Sequence, residues 1–157
     1  MLRVCTEADR KILETYLNKE PYGKAILAAV EQFGFEETFQ TVYLDSELLR
    51  SDEEDMEPEE KVKGVYLWYF DNLFLYCEDN QVATDFIEQQ IFMSAPKQVV
   101  GRVDNVNIVS WLLTDYGRVE LTELPEIADE NGIIPDCFQA GENYCGQWLQ
   151  LKGESLS

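Results

Sequence analysis

Residues 64 to 77 constrain the fold more than any other stretch of this chain. Val65-Tyr66-Leu67-Trp68-Tyr69-Phe70 and Leu73-Phe74-Leu75-Tyr76-Cys77 flank a polar Asp71-Asn72 pair. Aromatic and β-branched runs on either side of a two-residue break predict a β-hairpin. Both strands are apolar almost without interruption, so each should be buried on both faces. Such strands belong in the middle of a sheet covered by helices on either side. The aromatics Tyr66, Trp68, Tyr69, Phe70, Phe74 and Tyr76 should alternate between the two faces, mainly as core. One of those faces is also a candidate dock for a partner domain.

The flanking segments supply the helices. Leu2 to Cys5 reads as a short strand, and Thr6 as the cap of a helix whose face carries Ile12, Leu13, Tyr16 and Leu17. Pro21 opens a second helix with a stripe of Tyr22, Ile26, Ala29, Val30 and Phe33, and Gly34 closes it. Glu37 to Leu44 reads as strand. After the hairpin, Glu78-Asp79-Asn80 is the expected cap of a helix that buries Val82, Phe86 and Ile87. Gln98 to Val103 is a short strand, and Asp104 is the expected cap of a helix that buries Val106, Val109, Leu112 and Leu113 and ends near Gly117. Arg118 to Leu124 returns as strand. The expectation is one α/β domain, a mixed sheet with helices on both faces, over residues 1–124. Residues 45–60, including SELLRSDEEDMEPEE, are expected to be a solvated acidic loop, and residues 125–157 a tail without an assigned structure.

Charge narrows the functions. Among 157 residues, 12 Lys and Arg face 31 Asp and Glu, a formal charge of −19. Binding a phosphate backbone needs cations, and none are clustered, so nucleic acid and anionic membrane surfaces are not expected as direct partners. Histidine is absent, which removes Ser-His and Cys-His catalysis and HExxH metal sites. The N-terminus lacks a secretory apolar core, and a cytoplasmic location is expected. Cys5, Cys77, Cys137 and Cys145 form no CxxC pair; Cys5 and Cys77 read as small buried hydrophobes, and a Cys137–Cys145 disulfide would be unusual in a reducing compartment. The acidic run has no glycine-centred EF-hand spacing, so no metal site is expected. Carboxylates are too numerous for any general acid–base pair to stand out, and no catalytic residue is assigned.

The stretches YLNKEPYGKAILAAVEQFGF, EETFQTVYLD and KGVYLWYFDNLFLYCEDNQVATDFIEQQI, in that order, resemble the N-terminal domain of two-domain bacterial N-acetyltransferases of the GNAT superfamily. The likeness spans roughly residues 1–124. It implies a GNAT-like fold, acetyl-CoA as cofactor and acetyl transfer to an amine. In active members of such a family a strand enters a turn of the form [Q/R]-x-x-G-x-[G/A] before a helix, and backbone N–H groups hold the pyrophosphate. The matching place here by order, Glu78 to Thr84, has no glycine, and Glu78 and Asp79 are expected at the helix start, where they would repel a pyrophosphate. Gln98-Val99-Val100-Gly101-Arg102-Val103 is a second, partial match; there Gly101 reads better as a close backbone approach within a sheet.

The expectation is therefore a non-catalytic GNAT-like domain with a degenerate cofactor loop, paired with a catalytic GNAT domain or another protein. In that family the catalytic copy follows downstream, so the chain would be either a truncated piece or an N-terminal domain that works alone. The alternatives are a stand-alone protein-interaction domain and an acidic DNA-mimic inhibitor.

Overall fold

Ten residues of β-strand lead into the expected hairpin, and the ladder they start organises the molecule. The computed structural model describes residues 1–49, 59–69, 72–94, 96, 98–113, 116–121 and 148–153. Strands β1 (Leu2–Val4), β2 (Gln40–Leu49), β3 (Glu59–Tyr69), β4 (Asn72–Tyr76), β5 (Gln98–Arg102), β6 (Tyr116–Leu121) and β7 (Trp148–Gly153) form one seven-stranded sheet in the order β1-β2-β3-β4-β5-β7-β6. Every neighbouring pair is antiparallel except β4 and β5. Helices α1 (Arg10–Leu17), α2 (Pro21–Phe33), α3 (Thr84–Ser94) and α4 (Val103–Val109) complete it, with single tight helical turns before α1 and after α4.

The period-2 rule sorts the hairpin between two cores. Val65, Leu67, Tyr69, Phe74 and Tyr76 face the layer made by α1 and α2. Tyr66, Leu73, Leu75 and Cys77 face the layer made by α3 and α4. All five residues of β4 are buried, as a central strand covered on both sides requires. This is the expected α/β class: a mixed sheet with helices on both faces. Both faces of the hairpin are thus occupied by the chain's own helices, and the face considered as a dock is core instead. Trp68 alone is half-buried among the described hairpin aromatics, its Nε1 donating to Gln90 Oε1 at 2.6 Å. Phe70 lies outside the described residues.

Local chemistry explains most boundaries. Thr6 donates its N–H to Asp9 Oδ2 at 3.0 Å, one half of a capping box at the helical entry. Pro21 occupies the first turn of α2, and Gly34 ends it at φ +74°, a conformation that glycine adopts without strain. Gln40 then donates to Ala29 O and Gly34 O at 3.1 and 3.0 Å, satisfying carbonyls at that helix end.

Four sequence expectations need correction. The acidic loop assigned to 45–60 is narrower: β2 continues to Leu49, β3 begins at Glu59, and only 50–58 lie outside the described residues. Asp45 and Ser46 are buried at a β-bulge, and Glu60 pairs with Arg3, which also holds Asp9 at 2.8 Å. The register opposes Tyr69 to Asn72, so Asn72 already belongs to β4 rather than to the Asp71-Asn72 break expected. α4 begins at Val103 rather than after Asp104, and it ends before a strand that already contains Gly117. The boundary at 124 also fails, because β7 inserts between β5 and β6 and brings 148–153 into the sheet.

The Arg3 network carries a pH signature. The Arg3 and Ser46 hydrogen bonds hold the Glu60 carboxyl below its usual range. Desolvation pushes Asp9 up, but its bonds to Arg3 and the Thr6 N–H outweigh this and leave it lowered. Groups lowered in the folded state contribute stability that is complete above their unfolded values, about 4, and is lost as pH falls through the folded ones. The gap in urea midpoint between wild type and Arg3→Met is therefore expected to be constant near neutrality and to shrink below about pH 4. A gap unchanged down to pH 2.5 contradicts the ion-pair assignment.

Candidate functional site

In open α/β sheets, ligands settle outside the carboxyl ends of strands where the order switches direction. Here that place is the end of the parallel pair. β4 and β5 run together from Asn72 opposite Gln98 to Leu75 opposite Gly101, and there the pairing stops. Beyond it β4 leads through Tyr76 to Cys77, while β5 turns into α4 at Val103. Gly101 allows the strands to come this close: a Cβ there would stand 2.9 Å from Leu75 O. The close-approach reading of Gly101 therefore holds, and the residue lies on a strand rather than in a phosphate-binding turn.

Where the strands part, a side chain takes the gap. Asn105, fully buried in the first turn of α4, accepts the Cys77 N–H at 2.9 Å through Oδ1. Its Nδ2 donates to Cys77 O at 3.0 Å and to Asn80 Oδ1 at 2.9 Å. The amide thus pairs with both backbone groups of Cys77, as a neighbouring strand would. Other side chains claim the rest of the β4–α3 connection. Tyr16 Oη accepts the Glu78 N–H, and Tyr66 Oη accepts the Ala83 N–H, both at 2.7 Å.

Arg102 closes the outer side of this connection. Its guanidinium makes a two-point bond to Asp104 at 2.6 and 2.7 Å, reaches Glu20 at 3.2 Å and donates to Glu78 O at 3.0 Å. It also lies over the Tyr76 ring at 6.0 Å. The Arg102 hydrogen bonds hold the Asp104 carboxyl below its ordinary value.

Glu78 and Asp79 are not where the sequence suggested. α3 starts at Thr84, so they form a turn ahead of the helix, with Asn80 at φ +60°, and Asp85 is the acid in the first helical turn. Their expected clash with an anion at the helix N-terminus does not arise from this position. Glu78 instead pairs with Lys19 at 3.2 Å. The residues that do define the site, Asn105, Arg102 and Tyr16, were not singled out from sequence as site residues. The available signal was Asn105 itself, a polar residue on the apolar side of Val103-Asp104-Asn105-Val106.

The site's shifted groups are held away from neutrality. Burial raises the Tyr16, Tyr66 and Tyr76 hydroxyls and pushes the Cys77 thiol up to about 12. A general acid or base works best with a pKa near the operating pH, and a nucleophilic cysteine needs a lowered one. These groups therefore serve as hydrogen-bonding and packing elements. Among the described residues no group of three or more His, Cys, Asp or Glu could hold a metal ion, and no helix is long and apolar enough to cross a membrane.

Compared with known proteins, the chain matches no family model, no curated protein sequence and no solved structure.

The described cysteines give a direct check on packing. Cys5 and Cys77 are buried free thiols, and burial pushes Cys5 up to about 12 as well. Iodoacetamide on the native protein should leave both unmodified, and alkylation should appear at both in urea. Mass spectrometry of native digests showing Cys77 modified would contradict the packing at the end of β4. Cys137 and Cys145, including their potential disulfide, lie outside the described residues.

A groove of about 330 Å³ lies between α1 and α2, lined by Glu14, Asn18, Lys24, Leu27, Ala28 and Glu31. Its polar groups are of mixed sign and solvent-facing, and no buried reactive group points into it.

Proposed function

We propose that this chain is a non-catalytic GNAT-like domain of N-acetyltransferase ancestry, whose cofactor crevice is closed by its own side chains and which acts by binding another protein. The resemblance in the sequence supports the ancestry. So does the element order: strand, two helices, three-strand meander, then helix and strand twice over. The observation that carries the non-catalytic half is Asn105. Its amide occupies the N–H and C=O of Cys77, at the point where a parallel pair opens and a ligand would otherwise gain backbone partners. A ligand amide would have to displace Asn105 from two buried hydrogen bonds with Cys77 and from a third, part-buried one with Asn80 to gain only the first two, so the exchange lacks a driving force.

The cofactor to test is the one that the resemblance implies, acetyl-CoA. Isothermal titration of the full chain should show no saturable binding in the micromolar range, and incubation with acetyl-CoA and polyamine or aminoglycoside acceptors should release no CoA. Micromolar binding defeats the closed-crevice reading. The partner is a catalytic acetyltransferase domain or another protein, with the chain as an accessory.

A further inference from the structure

The seven-stranded sheet has two edges, and they are finished differently. β1 has three residues, and its Arg3 is held in ion pairs with Asp9 and Glu60. A very short edge strand whose charge is already paired offers little to a further strand. At the other edge β6 runs for six residues, Tyr116-Gly117-Arg118-Val119-Glu120-Leu121, and among the described residues it pairs with β7 alone. It contains no proline, so every residue keeps the N–H that a ladder needs. An edge of this length is a template for one more strand.

The charge pattern of β6 selects that strand. Arg118 and Glu120 cancel, so β6 is locally neutral in a chain of formal charge −19. In an antiparallel pair, residues directly opposite either both exchange hydrogen bonds or both do not, and the two kinds alternate along each strand. Two copies of β6 can therefore pair only with a residue on the twofold axis, never with the axis between residues. Two such registers pair most of the strand. With Arg118 on the axis, residues 116–120 pair and Arg118 meets its own copy. With Val119 on the axis, residues 117–121 pair, and Arg118 of each copy stands opposite Glu120 of the other. Unlike charges directly opposite stabilise an antiparallel pair, and like charges destabilise it. The strand is self-complementary in one register, and the same two charges oppose the other.

We infer that β6 is a self-association edge: two copies of this chain join by antiparallel β6–β6 pairing centred on Val119, making one continuous sheet across a twofold axis. The occupant is a second copy because the match lies within the strand itself, as an isologous contact requires. β6 stands two strands from β5 in the sheet, so the inference holds whether or not the β4–β5 crevice is closed. Acetyl-CoA titration of the same samples reports separately on that crevice.

The test is sedimentation velocity of the full chain at about 0.15 M salt, where exposed charges more than about 8 Å apart are screened. Wild type should show a monomer–dimer equilibrium that moves toward dimer as concentration rises. Arg118→Glu sets acid against acid and Glu120→Arg sets cation against cation, so each alone should weaken dimerisation by about tenfold. Mixed in equal amounts, the two variants regain both unlike pairs and should form a heterodimer. The double swap Arg118→Glu, Glu120→Arg should dimerise like wild type. If a reversal lowers the thermal midpoint, Arg118→Gln and Glu120→Gln carry the comparison, and each should still give a weaker dimer than wild type. A wild type that stays monomeric at the highest concentration overturns the inference. So does dimerisation that the single variants leave unchanged, or a loss that neither the mixture nor the swap restores.

Discussion

Asn105→Ala is expected to destabilise the domain by about 2–4 kcal/mol, because it strands the N–H and C=O of Cys77 in a buried site where each unsatisfied group costs about 1–3 kcal/mol. The side chain is fully buried and all three of its bonds are internal, so water is poorly placed to substitute. Asn105→Asp separates the hydrogen bonds from the packing. It keeps an acceptor for the Cys77 N–H but turns a second oxygen toward Cys77 O and Asn80 Oδ1, so it should be at least as damaging as alanine although it has nearly the same size. Urea unfolding of the two variants checks this. An aspartate variant as stable as wild type would mean that the amide does not bridge the end of β4.

Phe74→Ala should cost about 3–5 kcal/mol, the range for an aromatic removed from a closed core. Phe74 is fully buried in the middle of β4, on the face covered by α1 and α2. Its neighbours on that side, including Val100 on β5 and Leu67 on β3, are fixed by sheet pairing and cannot collapse into the space. For a domain of this size the loss corresponds to a drop of roughly 6–20 °C in thermal midpoint. A loss below about 1 kcal/mol, read by urea or thermal unfolding, would place Phe74 outside a tightly packed core.

The centre of the fold was legible because its information is local. Continuous apolarity in 65–70 and 73–77 announces strands buried on both faces, and Pro21 and Gly34 mark the bounds of α2. Elsewhere the deciding contact is distant. Asp45, Ser46 and Glu60 look like loop residues until the first strand reaches them: Arg3 bonds Ser46 and Glu60, and the N-terminal ammonium pairs with Asp45. A window of neighbours does not contain Met1 or Arg3. β7 was missed for a related reason: residues 148–153 become a strand by inserting between β5 and β6, a pairing made across a long sequence gap.

The candidate site was less legible than the fold. The missing glycine after Cys77 draws attention to this junction in the sequence, but the mechanism read there is electrostatic, through Glu78 and Asp79. The structure moves α3 four residues later than that cap and gives the junction to hydrogen bonds from Asn105, Tyr16, Tyr66 and Arg102. Each comes from a different element, and their convergence is a property of topology. The large negative charge likewise has local settings, the Arg3 and Arg102 ion pairs among them.

The most direct test of the closed crevice is an amide NMR titration of the isotopically labelled chain with acetyl-CoA. The N–H resonances of Cys77, Glu78 and Ala83 are already bonded to Asn105, Tyr16 and Tyr66. They should not shift as acetyl-CoA is raised into the millimolar range. Saturable shifts concentrated at those three amides would show the crevice open to the cofactor and contradict the account.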